Sequence, residues 1–111
     1  MQIIFQSKGA TLIAKITGEL DHHAAGAVRE KLDYKITTEN VKNLIFDFSS
    51  LSFMDSSGIG IIIGRYKMLK SLGGNVAIVS STKNVDRILN ISGIQKIVSV
   101  SKTIDDALKA V

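Results

Sequence analysis

The sequence predicts a single α/β domain whose mixed β-sheet opens with an N-terminal hairpin and continues through alternating helices and strands, with about four helices in all. Three observations carry this. Residues Leu12, Ala14 and Ile16 alternate with Thr11, Lys15 and Thr17, the period-two pattern of a strand with one buried face. The runs Leu44-Ile45-Phe46-Asp47-Phe48 and Val76-Ala77-Ile78-Val79 are nearly all apolar, as strands buried in a parallel sheet are. Elsewhere apolar residues recur at three- and four-residue steps, the stripe of an amphipathic helix.

Taken in order, Ile3-Ile4-Phe5 and the alternating run Leu12 to Ile16 form two strands joined at Lys8-Gly9. A polar loop, Gly18 to His23, leads into a helix over 24–37 that carries Ala25, Val28, Leu32 and Ile36, with Asp21 in its cap region. The strand Leu44 to Phe48 then delivers the chain to Phe53-Met54-Asp55-Ser56-Ser57-Gly58-Ile59-Gly60, read as a loop turning into a helix. That helix runs to Gly73-Gly74 with Ile59, Ile62, Ile63, Tyr66 and Leu69 inward. After the strand Val76 to Val79 come a short helix with Val85, Ile88 and Leu89, a stop at Gly93, and a weak last strand at Ile97-Val98. Thr103-Ile104-Asp105-Asp106 fits a capping box that opens a C-terminal helix with Ile104, Ala107, Leu108 and Val111 inward. No repeat or linker divides residues 1–111, so the whole chain is expected to be one domain.

Composition narrows the function. The chain has 45% hydrophobic and 22% charged residues, ordinary for a globular domain, and no cysteine, which excludes disulfides, thiol nucleophiles and cysteine-ligated zinc. Its start lacks the basic lead and long apolar core of a signal peptide, and no apolar run spans a bilayer, so the expectation is a cytoplasmic protein that does not engage membranes. The net charge of +4 would suit a phosphate backbone, but the lysines are scattered over every element and aromatic residues make up only 5%. Direct nucleic-acid binding is not expected.

The stretch at Asp55 is the centre of the functional argument. Short oxygen-bearing side chains at a helix start accept hydrogen bonds from the free amides of the first turn, so one of Asp55, Ser56 and Ser57 caps the helix. One cap does not require three polar residues and a glycine. The spare hydroxyl of Ser57, with Gly58 leaving it unshielded, suits a phosphoryl acceptor.

Catalytic readings fail at particular positions. A serine-hydrolase elbow requires glycine two residues before its nucleophile, where Ser57 has Asp55 and Ser56 has Met54. His22 and His23 are the only histidines, and no second ligand set supports a metal. Gly58, Gly60 and Gly64 miss the dinucleotide fingerprint by one residue and lie in the helix, where Gly60 and Gly64 would let it sit close to a neighbour. No enzyme activity, cofactor or metal is expected.

Three segments in order, Gly18-Glu19-Leu20-Asp21-His22-His23, Leu51-Ser52-Phe53-Met54-Asp55-Ser56-Ser57-Gly58 and Gly64-Arg65-Tyr66-Lys67, resemble the STAS-domain anti-sigma factor antagonists over essentially the whole chain. The resemblance implies a STAS-like fold and a partner, an anti-sigma factor that is itself a serine kinase. It implies that the unphosphorylated protein binds this partner and frees the sigma factor. Phosphorylation of the residue matching Ser57 ends the binding, and a serine phosphatase resets the switch. Asp21 matches a residue of the partner-binding surface, which also takes in Asp55, Ser56, Ser57 and Gly58. Transcription control in sporulation is the expectation, and related antagonists serve stress pathways. Two other readings remain open: a small phosphate- or nucleotide-binding α/β domain using Asp55 to Gly60, and a receiver domain phosphorylated on Asp47 or Asp55, disfavoured because no paired acids for magnesium lie on the N-terminal strands.

Overall fold

A computed structural model describes residues 1–111. Strands β1 (Gln2–Lys8) and β2 (Thr11–Leu20) form the hairpin, antiparallel from Gln2 opposite Thr17 to Lys8 opposite Thr11. Gly9, at φ +60°, makes the turn that a side chain would resist. Helix α1 (His22–Thr38) leads to β3 (Asn43–Asp47) and β4 (Leu51–Met54), α2 (Ser56–Ser71) to β5 (Val76–Val79), and α3 (Lys83–Ser92) through a 3₁₀ turn (Ile94–Lys96) to β6 (Ser99–Ser101) and α4 (Ile104–Ala110). The strand order is β1-β2-β3-β5-β6, parallel from β2 onward, and β4 pairs in parallel with the far end of β2.

The two buried faces follow from strand alternation. Leu12, Ala14, Ile16, Leu44, Phe46, Val76 and Ile78 point into the main core, where Val28, Leu32 and Ile36 of α1 and Ile59, Ile62 and Leu69 of α2 meet them. Ile13, Ile45 and Ala77, partners across the sheet, point the other way with Val79 and are covered by α4 through Ala107. A strand buried on both sides has no polar positions to spare, which is why β3 and β5 read as unbroken apolar runs. Each fully buried Leu, Ile or Phe contributes about 1.5–3 kcal/mol.

Three expectations require correction. The stretch Gly18 to His23 is not all loop: β2 continues to Leu20, and its register against β4 shifts between Gly18 and Glu19. Leu51 to Met54 is a strand, although only Leu51 and Met54 are buried and the alternation expected of a strand is missing. The last strand is Ser99–Ser101, because Ile97-Val98 closes the 3₁₀ turn, with the Ile97 and Val98 amides donating to the Ile94 carbonyl. The C-terminal helix keeps its expected cap: the Asp106 amide donates to Thr103 Oγ1 at 3.1 Å.

Candidate functional site

Leu20 and Met54 are paired at the ends of β2 and β4, so the residues that follow them, Asp21 and Asp55, emerge side by side at one sheet edge. Each caps its helix. Asp21 Oδ1 accepts from the His23 and Ala24 amides, both at 3.0 Å. Asp55 Oδ1 accepts from the Ser57 amide at 2.8 Å, and its Oδ2 accepts from the His22 amide at 3.0 Å. One carboxylate thus closes the first turn of α2 and ties it to the first turn of α1. The Ala24 amide, foremost, holds the Asp21 carboxyl below its ordinary range, assisted by the His23 amide and ring.

The cap among the three polar residues is therefore Asp55, which leaves both serines unused for that purpose. Ser56 is exposed and Ser57 half-buried. Gly58 does not serve to unshield Ser57. It is buried and faces inward, where a Cβ would strike the Met54 side chain and crowd Leu20, so its smallness seats the first turn of α2 on β4.

Ser57 lines a groove of about 550 Å³ between α1 and α2, together with Gly60 and Arg65 of α2 and His22, Gly26 and Arg29 of α1. Gly60 and Gly64 do not bring α2 against a neighbour, since a Cβ at either would meet nothing within 4 Å. Open space beside helix glycines is what leaves the groove.

Arg65 was not anticipated by helix spacing, which placed Tyr66 inward. It is 8% exposed, and its Nε lies 3.1 Å from Asp33 Oδ1 of α1. The two are not aligned for a hydrogen bond, and Arg65 Nη1 is buried with no partner. The sequence held one clue, a charge one step from an apolar stripe, but nothing to say which helix carried the acid. Asp47, the alternative acceptor, is buried and receives the Ser49 amide at 3.0 Å. No three acidic, histidine or cysteine side chains gather into a metal-binding group, and no helix is long and apolar enough to cross a membrane.

A single α/β layer of this topology, with two capped helix starts on one edge, defines the class: residues 2–107 match the STAS domain model, and the chain belongs to the STAS family. Within it, the chain is 37% identical over 100 residues to the anti-sigma F factor antagonist of Paenibacillus polymyxa, covering 90% of this chain and 86% of that one. It is also similar to the anti-sigma factor antagonist SpoIIAA in its unphosphorylated form, at 29% identity and a TM-score of 0.83, covering 97% of this chain and 94% of the other. The phosphorylated form of the Bacillus cell fate determinant SpoIIAA matches at 28% identity and a TM-score of 0.74, covering 97% of both chains.

Proposed function

We propose that this protein is an anti-sigma factor antagonist switched by phosphorylation of Ser57. The unmodified chain binds an anti-sigma factor with serine kinase activity, and the sigma factor is released to direct transcription, with sporulation as the setting. A phosphate on Ser57 ends the binding, and a serine phosphatase restores it. On this reading the chain acts in the cytoplasm as a binding module with no reaction of its own.

The observation that carries the reading is the position of Ser57: a hydroxyl free of capping duty, on the first turn of α2, at the rim where the Asp21 and Asp55 loops meet. A phosphoserine there adds roughly −1.5 to −2 charges next to two carboxylates. A partner that docks on Asp21, Ser56 and Ser57 must take this charge out of water, so the penalty falls on the complex. The relatives named above support the choice of partner, and one of them was solved in a phosphorylated form.

The test is to incubate the protein with its cognate anti-sigma factor and ATP. Wild type should acquire one phosphate, located on Ser57 by fragment masses, and lose affinity. Ser57→Ala should stay unmodified and bound. Phosphate on Ser56, or stoichiometric phosphorylation of Ser57→Ala, would defeat the single-acceptor reading.

A further inference from the structure

The groove between α1 and α2 contains a buried cation with an unused donor, and capping does not explain it. Arg65 Nη1 is enclosed and unpartnered, and its Nε, 3.1 Å from Asp33 Oδ1, makes an ion pair without a hydrogen bond. A buried guanidinium donor left unmade is costly, so such a group calls for an acceptor. Arg29, exposed on α1, lines the same groove from the opposite wall. Gly26 and Gly60 add no side chain to the groove, which Ala25 and Ile61 also line, and a Cβ at either glycine would meet nothing within 4 Å.

The direction of these side chains matters. Ser57 and Arg65 lie eight residues apart, about 12 Å along α2 at 1.5 Å per residue. Arg29 lies seven residues beyond His22, whose amide is tied to Asp55. Helical side chains lean toward the N-terminus of their helix. Arg65 Nε lies beside Asp33, and Arg65 and Arg29 line the same groove as Ser57, Gly26 and Gly60. The charges that oppose an anion are Asp33, which is occupied with Arg65, and Asp21 and Asp55, whose oxygens receive backbone amides. The His22 ring is the remaining titratable group at the groove.

We propose that this groove is a phosphoryl-binding site in which Arg65 and Arg29 hold the phosphoryl group borne by Ser57. Guanidinium groups match a phosphoryl group with paired donors, and the Nη1 donor of Arg65 gains the acceptor that it lacks. The physiological meaning rests on Ser57 being the acceptor of the switch. The phosphorylated form then carries its new charge within its own fold, and α1 and α2 are clamped together. The same chemistry would accept a phosphoryl group from a small molecule, and the experiment separates the two sources.

Phosphoserine is installed at position 57 during synthesis, so that no kinase is involved, and its ³¹P resonance is titrated with pH. Its second pKa, about 6 for a free phosphoserine, should fall by about one unit in the wild-type fold and return toward 6 in Arg29→Gln. Arg29 is exposed, so its substitution spares the core, and Gly60→Leu, which fills the groove, should act likewise. The His22→Gln background removes the imidazole that lines the groove. A second arm adds inorganic phosphate to the unphosphorylated chain and follows the Gly26 and Gly60 amides. A depressed pKa that Arg29→Gln relieves supports the Ser57 phosphoryl group as occupant. Saturable amide shifts with no depression support the site with an external phosphoryl source. A pKa unmoved from that of the urea-unfolded chain, with no amide shifts, overturns the proposal. That result would leave the kinase assay on Ser57 untouched, and failure of the kinase assay would leave the groove measurement standing.

Discussion

Asp55 is the side chain whose removal the geometry makes easiest to calculate. Its two oxygens hold amides of two different helices, Ser57 at 2.8 Å and His22 at 3.0 Å. Replacing an N-cap aspartate with alanine costs about 0.5–2 kcal/mol. The second hydrogen bond, at a half-exposed site, adds about 0.5–1.5 kcal/mol. Asp55→Ala should therefore lose about 1–3 kcal/mol, which for a domain of this size lowers Tm by roughly 5–15 °C. Asp55→Asn separates the two contributions. Asparagine caps as well as aspartate does, so the Ser57 bond survives, but its amide nitrogen would face the His22 N–H as a second donor. Only the bond between the helices is lost, and the expected cost is the smaller share.

Denaturant unfolding of the three proteins measures these differences at constant m-value. Amide exchange adds a local readout: Asp55→Asn should deprotect His22 and spare Ser57, and Asp55→Ala should deprotect both. An asparagine variant within about 0.3 kcal/mol of wild type, with His22 still protected, would refute the tie between α1 and α2. An alanine variant equally stable would refute the cap as well.

Asp33→Ala should destabilise by about 1–3 kcal/mol because it strands the buried Arg65 charge, and Asp33→Ala/Arg65→Met should recover most of the loss; calorimetric melts showing the double variant as unstable as the single one would contradict this. Gly60→Ala should stabilise by up to about 1 kcal/mol, as a helix position with empty space beside it allows, whereas Gly74→Ala should lose about 1–3 kcal/mol or more because its Cβ would overlap the Lys42 carbonyl; equal and small effects on chemical unfolding would undo the contrast. The carboxyls of Asp21, lowered chiefly by the Ala24 amide, and of Glu39, lowered chiefly by the Lys35 ammonium and then by Ser7, both titrate below their unfolded values. Their stabilisation is present above about pH 4 and is lost as pH falls through the lowered folded values. Unfolding free energy measured from pH 6 down to pH 2 should thus fall less steeply in Asp21→Asn than in wild type, and parallel curves would count against it.

The sequence made those parts of the fold legible where one physical rule acted alone. The alternation of Leu12 to Ile16 and the apolar runs at 44–48 and 76–79 reflect burial on one face or on two, and helix α4 displayed both its cap and its inward residues. Legibility ended where two rules competed. The residues of α2 that enter the main core include Ile61 as well as Ile59, Ile62 and Leu69, and the buried positions include Arg65, because α2 packs between the sheet and α1 and so needs a wide inward face. A charged residue reads as outward in any single helix, and only the neighbouring α1, with Asp33, gives Arg65 a reason to be inside. Gly58, Gly60 and Gly64 looked alike on the page yet differ in role, since what lies beyond the missing side chain belongs to other elements.

The same limit explains why the sequence indicated both polar loops but not what joins them. Their adjacency depends on β4, a four-residue strand with exposed Ser52 and Phe53 that satisfies no periodic pattern. β4 exists because β2 outruns β3: Thr11 to Lys15 pair with β3, and Gly18 to Leu20 remain to accept another partner. Gly18, at φ +101°, takes a conformation that other residues resist, and the register shift beside it sets Leu20 opposite Met54. Ser52 Oγ donates to the Gly18 carbonyl at 2.9 Å and fixes that register from the other side. A slip of one residue would turn Leu20 or Met54 out of the core and move Asp55 away from the His22 amide. Ser57, the two capping carboxylates and the groove of Arg29 and Arg65 are thus held in one place by a bulge at Gly18, which lies three residues before Asp21 but far in sequence from Asp55, Ser57 and Arg65.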